Sequence, residues 1–547
     1  MFELIKLDVL NWLNGGRRMQ IIHTKKIGMM VVVAIASCQC FAAAHYVSLS
    51  GANNLPYLTW ADAATQIQWA VDVAASGETV WVTNGNYALT NQIVITNGGI
   101  LKSVNGRNFT FINGNYPAYS NRCFYIDNAA SLVDGFTISN AWYTNSTAVW
   151  ADRLGGGVKI CRGTMQNCAI LNNYYSDTVN GDRGGGGIAL EGSSGIGAIV
   201  SNCIISGNRV LSGIGGGGVF LAYHYAKLID CVVSNNFAVG SGNGFGGGVF
   251  AIYTQVDKKI INSVIINNSA KLGGGIFGDD VTITGCAINN NYATGAGGGV
   301  VVGASTSVIC ALVNSTISGN SNAAGEAAVD VRTYGRVVAN CVISSNYCGG
   351  IGFGFTNSTI CSNCTIAGNG AFGVRLYNNA APCLYNCVVE RNNRGMFFDN
   401  CGAATASCCT VVSNYTSDKG GGIMITSANV NVKVSNCIIV SNTAAGGNND
   451  IWDATVNNIH SNNVFYSCAG SFPNFSCVGN ITNANPRFVD FAGRNYRLDP
   501  NSPCVNAGTN QNWMTNAVDM DGRIRIRYGT VDMGAYEVIC NGTIYKF

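Results

Sequence analysis

The stretch that decides the fold reads Asn340-Cys341-Val342-Ile343-Ser344-Ser345-Asn346, because the chain keeps returning to it. Further copies begin at Cys168, Cys203, Cys231, Cys286, Cys364, Cys387, Cys409 and Cys437, and Gly135, Ser263 and Ser315 open variants in which a small residue replaces the thiol. Each copy closes on an asparagine, as in Asn173, Asn208, Asn236, Asn291, Asn346 and Asn442. The first and third positions are small or apolar, as in Cys341 and Ile343, and the residues between them are mostly small or polar. That is the two-residue period of a strand with one buried face.

The spacing shows how the strands are joined. Cys341 and Cys364 lie 23 residues apart, as do Cys364 and Cys387, whereas 35 residues separate Cys168 from Cys203. The longer intervals read as the same coil carrying a loop. A second strand in each coil follows a glycine run, as in Gly155-Gly156-Gly157-Val158, Gly246-Gly247-Gly248-Val249, Gly273-Gly274-Gly275-Ile276 and Gly420-Gly421-Gly422-Ile423. Glycine there permits positive φ and close backbone approach, so each run reads as a corner. Short strands linked by corners and repeating near 22 residues bury their faces only by stacking on neighbouring coils. The fold expected is all-β, a right-handed parallel β-helix of about twelve coils or more with a capping helix at one end and a capping module at the other.

Composition agrees. Of 547 residues 47% are hydrophobic and only 11% charged, with 70 glycines and 7 prolines. A net charge of +3 gives no electrostatic case for a nucleic-acid partner. Lys25 and Lys26, the apolar stretch Met29 to Ala36 and Ala42-Ala43-Ala44 before His45 have the form of a secretory signal, with Met19 an alternative start. Ile35-Ala36-Ser37-Cys38 also permits a lipoprotein reading in which Cys38 is acylated. No later apolar run is long enough to span a bilayer, so the mature chain is expected to be secreted or held at the cell surface without a transmembrane span. The 23 cysteines suggest a disulfide framework at first. At the repeating inward position, however, Ser and Gly substitute for Cys, which favours buried thiols used as packing. Cys361, Cys364, Cys383 and Cys387 admit two other readings, a zinc site or a Cys361–Cys383 disulfide; the expectation is neither a metal nor a cofactor.

In chain order, residues 1–44 form the leader, 45–115 an N-terminal cap with the first coils, 116–480 the β-helix and 481–547 a C-terminal module. Tyr46 to Gly51 is a first strand. Thr59-Trp60-Ala61-Asp62 has the form of a capping box, and Ala63, Ile67, Ala70, Val71 and Ala74 follow on one helical face, suited to plug the open first coil. From Asn495 the glycine corner and Cys/Asn strand disappear, and Asp519-Met520-Asp521-Gly522 and Val531-Asp532-Met533-Gly534-Ala535-Tyr536-Glu537 take their place. This module is expected to close the far end.

The N-terminal helix, the Gly77-Glu78-Thr79-Val80 stretch and the coils resemble secreted right-handed β-helix proteins of the pectate-lyase-like superfamily. Units such as Asn268-Ser269-Ala270-Lys271-Leu272-Gly273-Gly274-Gly275-Ile276 are similar to polymorphic outer membrane protein repeats, and Asn495 to Glu537 resembles the choice-of-anchor Q domain. Together these resemblances cover nearly the whole mature chain. They imply the fold strongly and the function weakly, because one fold hosts lyases, hydrolases, epimerases and adhesins.

Aligning the post-glycine strands on their inward Val or Ile gives an outward face with aromatics first and charges after. Phe220, Phe250 and Phe277 are expected to stack on sugar rings, and Asp279, Asp330, Arg332, Arg375, Tyr377 and Asp399 to hold or cleave a glycan, as paired carboxylates or a base beside a cation do. The alternative is that stacked Phe stabilise one another and Asp–Arg pairs contribute little. The Asn-Thr-Asp and Gly-His-Gly elements of polygalacturonase-type hydrolases are absent; only Asp279-Asp280 is similar to their paired aspartates. His224 reads as a loop residue. The leading expectation is an exported, non-catalytic, adhesin-like protein that binds an extracellular polysaccharide or cell-surface polymer along its outer face. A polysaccharide lyase or glycoside hydrolase using the same stripe is the alternative.

Overall fold

The computed structural model describes residues 43–539 apart from 146–153, 178–182, 193–194, 223–224, 239–243, 253–257, 304–309, 333–335, 356, 427–430, 455–463 and 471–477. Residues 1–42 of the leader, with Cys38 and the Met19 start, and His224 lie outside the described residues.

The chain folds as a right-handed parallel β-helix. Its 28-stranded sheet carries two columns of strands, one following the glycine corners and one preceding the Cys repeats; sheets of 16 and 7 strands complete the coils. Each strand pairs with its counterpart one coil on, so identical positions stack: Val233 on Ile265, Ile265 on Ile288, Ile317 on Ile343. These residues are fully buried in one continuous apolar core. The repeat builds that core because a two-residue strand period puts the same side chain at the same inward point in every coil.

The asparagines form a ladder with a direction. The Nδ2 of each donates to the Oδ1 of the next, from Asn173 to Asn208 and onward to Asn414 and Asn442, at 2.9 to 3.1 Å. Each also donates its second amide hydrogen backward, as Asn291 does to the Ile265 carbonyl at 2.9 Å. Asp450 ends the line by accepting from Asn442 at 3.0 Å. Left-handed backbone belongs not to the ladder residue but to its predecessor, as at Asn172, Asn235, Asn267 and Asn290. The ladder amide also fixes one glycine of each corner. A Cβ on Gly275 would lie 2.9 Å from Asn291 Nδ2, while Gly273 supplies the φ of +63° that turns the chain. The two sequence signatures are thus one packing unit.

At the N-terminus Ala44–Val47 pairs in parallel with Thr79–Val82. The helix is shorter than the sequence indicates, covering Ile67–Val73 with Gln66 as N-cap. Thr59 and Asp62 do bond reciprocally, at 2.7 and 3.2 Å, but they close a turn before the helix rather than its first turn. Ile67, Ala70 and Val71 pack into the main core.

The C-terminal segment expected to close the far end instead lies against the side of the last coils. Tyr496, Leu498, Met533 and Ala535 cover the outward residues Val388, Val412 and Ile438 of the 16-stranded sheet. Tyr496 and Arg494 donate to the buried Glu390. Apolar outward residues at these coils give the segment a surface to bury. Asp519 to Arg523 form a tight turn in which the Arg523 backbone N–H donates to Asp519 Oδ1 at 2.7 Å.

Every cysteine among the described residues is a free thiol. Cys361 and Cys387 face inward with sulfurs 4.0 Å apart, whereas Cys383 is half-buried on the opposite face of its strand from the buried Leu384. The Cys361–Cys383 disulfide is therefore not formed, and the four thiols do not converge.

Candidate functional site

The post-glycine column lines up the predicted residues. Phe220, Phe250, Phe277, Val301, Asp330, Gly352, Arg375 and Phe397 succeed one another in register, and Arg332, Gly354 and Tyr377 form a parallel row. The alternation read from the sequence holds, since Val219, Val249 and Ile276 beside the phenylalanines point into the core.

The aromatic end is not a sugar platform. Phe220 and Phe250 are fully buried and Phe277 is 5% exposed. They join Leu154, Ala189, Ala222 and Val301 in a second apolar cluster, with Phe245, Leu272 and Ile214 packed over it. Phe250 stands 5.6 Å from both Phe220 and Phe277, and Phe245 lies 5.7 Å from Phe250 and 4.8 Å from Phe277. The expectation of exposed aromatics is corrected for these three: burying contiguous rings is worth more than leaving them in water, and the preceding segment covers them.

The charged end does assemble. Gly352 and Gly354 leave one coil bare, and side chains from the next coil reach across it. The Tyr377 ring lies over Gly354, where a Cβ would sit 2.7 Å from it, and its hydroxyl donates to Asp330 Oδ1 at 2.8 Å. Arg332 Nε donates to Asp330 Oδ2 at 2.7 Å. Arg375 spans the same gap, donating to Glu326 at 3.3 Å and to Asp399 Oδ2 at 3.0 Å, and Thr426 donates to Asp399 Oδ1 at 3.2 Å. The Arg375 guanidinium lies 5.4 Å from the Tyr377 ring centre and 5.6 Å from that of Phe397. Burial, with the Asp330 carboxylate second, pushes the Tyr377 phenol up. The structure thus unites Asp330, Arg332, Arg375, Tyr377 and Asp399, together with Glu326, Phe397 and Thr426, which the sequence did not single out.

Asp279 stands apart. It is buried at the corner between the two columns, beside Asp280, Lys258 and Arg336. Arg336 Nη1 is 3.9 Å from Asp280 Oδ1, and both side chains are wholly buried. Burial lowers the Lys258 ammonium to about 8 against the pull of Asp280 and Asp279. Burial, and then the neighbouring Asp279, raises the Asp280 carboxyl. The signal for this group was present: Lys258 and Arg336 occupy inward corner positions that hold Ala226, Val281 and Cys310 in nearby coils.

Chemically the network is closed on itself. Both oxygens of Asp330 and both of Asp399 accept hydrogen bonds from side chains. What it offers outward is guanidinium planes and ring edges, with Arg375 27% and Asp399 34% exposed. Clefts of 330, 480 and 550 Å³ lie elsewhere, beside Trp69, Arg107 and Phe488 respectively. Among the described residues no group of three or more His, Cys, Asp or Glu is placed to hold a metal ion, and no helix is long and apolar enough to cross a membrane.

The family model for the right handed beta helix region matches residues 298–465, the segment that carries the charged network. Similar solved structures include the catalytic unit of an α-1,3-glucanase from Streptomyces thermodiastaticus, at 14% identity over 62% of this chain and 65% of that one, with a TM-score of 0.41. The A-module of a mannuronan C-5 epimerase from Azotobacter vinelandii matches at 16% identity over 71% and 92%, TM-score 0.35. A pectate lyase matches at 12% identity over 90% and 96%, TM-score 0.29. The chain spans just under two thirds of the glucanase unit's length. No curated protein matches the sequence. From residue 298 to residue 465 the chain is thus similar to the right handed beta helix region by sequence as well as by architecture.

Proposed function

We propose that the protein is an exported, non-catalytic β-helix that binds a glycan or another extracellular polymer along its outer face, in the manner of an adhesin. The observation that carries the reading is the engagement of both oxygens of Asp330 and of Asp399. A general acid or base needs a carboxyl free to exchange a proton with substrate, and these are committed to Arg, Tyr and Thr donors. The half-exposed side chains of Arg332, Arg375, Tyr377 and Phe397 suit contact with sugar hydroxyls and ring faces. On the same reading residues 1–44 direct export, the coils are of the polymorphic outer membrane protein type, and residues 481–547 are a choice-of-anchor Q-like module.

The test is to incubate the purified protein with a panel of acidic and neutral polysaccharides, following retention, unsaturated-product absorbance and reducing ends. Retention without product, weakened in Arg375→Ala, is expected. Product that disappears in Asp330→Ala or Arg375→Ala would replace this reading with a lyase or hydrolase on the same stripe.

A further inference from the structure

The residue after the ladder position lies on the seven-stranded sheet from Trp142 to Ser321 and continues in line beyond it at Tyr347, and its aromatic members are arranged in two ways. Near the N-terminus they stack. The Tyr116 and Trp142 ring centres are 4.4 Å apart at 13°, and those of Trp142 and Tyr174 5.1 Å apart at 25°, so each ring covers the face of the next. Further along they alternate with small residues. Ser269 pairs with Tyr292, and Tyr292 with Ser321. One coil on, the Tyr347 backbone N–H donates to the Asn320 carbonyl at 3.0 Å, and in the next coil Gly370 donates to the Asn346 carbonyl at 2.9 Å. From Phe237, which pairs with Ser269, the line therefore reads Phe237, Ser269, Tyr292, Ser321, Tyr347, Gly370.

Alternation leaves both faces of Tyr292 and Tyr347 without an aromatic neighbour in the line. Tyr292 is 41% and Tyr347 80% exposed, whereas Phe250 in the post-glycine column is completely buried. The gap beside Tyr347 is built in, since a Cβ on Gly370 would lie 2.5 Å from the Tyr347 carbonyl oxygen. The two rings are separated by two coil spacings, ~9.6 Å. That distance is close to the repeat of two sugars in an extended glycan whose successive rings face opposite ways. Charge narrows the ligand further: the strands Ser269–Ala270, Tyr292–Ala293 and Ser321–Asn322 carry no charged residue, which matches an uncharged polymer and contrasts with the Arg375 network. Exposed Asn267 and Asn290 beside the line supply amides for sugar hydroxyls.

We infer that Tyr292 and Tyr347 form a second binding line, separate from the charged network, that takes an uncharged, extended polysaccharide by stacking on every second sugar. The inference rests on the reading that the protein holds an extracellular polymer, and it names the ligand class and another face for it.

The test is retention of the full chain on microcrystalline cellulose and β-mannan, with soluble polygalacturonate as the acidic comparison. Tyr292→Ala and Tyr347→Ala are each expected to weaken binding to the uncharged glycans about tenfold, and the double variant to abolish it. Ser321→Tyr fills the gap and lets three rings stack, so it also abolishes binding although it adds apolar surface. Lys433→Ala, an exposed change on another strand column, leaves binding to the uncharged glycans intact, and Tyr292→Ala, Tyr347→Ala and Ser321→Tyr stay folded at the binding temperature. Unchanged binding in both Tyr→Ala variants, or stronger binding in Ser321→Tyr, overturns the inference. Loss in Arg375→Ala alone overturns it while leaving the polymer-binding reading standing. No retention on any polysaccharide overturns both.

Discussion

Phe220 to Val301 and Asp330 to Asp399 occupy successive coils of one sheet face, in unbroken register, and they end in opposite environments. In the first stretch every outward side chain of the leading row is apolar, neighbouring segments fold over it, and the face becomes a second core. In the second the outward residues are charged, two glycines leave room, and Tyr377 and Arg375 fill it by reaching back to Asp330 and Glu326. Register determines which way a side chain points. Whether outward means exposed is decided by the side chains of the neighbouring loops.

The contrast can be broken most severely at Phe250. Phe250→Ala removes a wholly buried ring and is expected to cost ~3–5 kcal/mol in denaturant unfolding, as a core substitution does. If the face were only a covered surface, the loss would stay within the ~0.5 kcal/mol of an ordinary surface change.

Lys258, in the coil of Phe250 and beside Asp279 and Asp280, gives a pH signature. The unfolded ammonium keeps its proton up to the ordinary 10.5, whereas the buried one releases it at about 8. The unfolded state binds more protons in that window, so this group makes stability rise with pH between about 8 and 10.5, by up to ~3 kcal/mol. Unfolding free energies measured across that range should lose this slope in Lys258→Met.

On the charged side the effects shrink. Asp330→Asn takes the charge from a carboxylate that Tyr377 and Arg332 both address, and ~1–3 kcal/mol of stability is expected to go with it. Arg375→Ala breaks half-exposed pairs and should cost under ~1 kcal/mol, and less still in molar salt. A larger loss at Arg375 than at Phe250 would reverse the comparison.

Most of the architecture was legible because it is repeated. A strand period of two, a corner glycine and a ladder asparagine recur so often that each coil supports the reading of its neighbours. The sites were less legible for physical reasons. Phe220, Phe250 and Phe277 pointed outward as read, but a single chain direction says nothing of what folds over them. Lys258 and Arg336 were hidden because a cation in an alanine-like column is visible only once the coils are aligned across inserted loops. Thr59 and Asp62 show the local version: one box bond, from the Asp62 N–H to Thr59 Oγ1, forms, yet the chain is drawn into pairing at Ala64 with Val47 before the helix starts. Tyr292 and Tyr347 were within reach, since each directly follows a ladder asparagine.

The asparagine ladder has a consequence for how this protein can change. Every rung presents the same donor forward and the same acceptor behind, so any coil satisfies any other. Excision of residues 341–363 would bring Asn320 to Asn369 without orphaning a buried amide, and duplication of the same unit would insert one more rung. Only Asp450, where the series stops, is not interchangeable. The number of coils is therefore a property that recombination can adjust in whole steps, with the two ends left untouched.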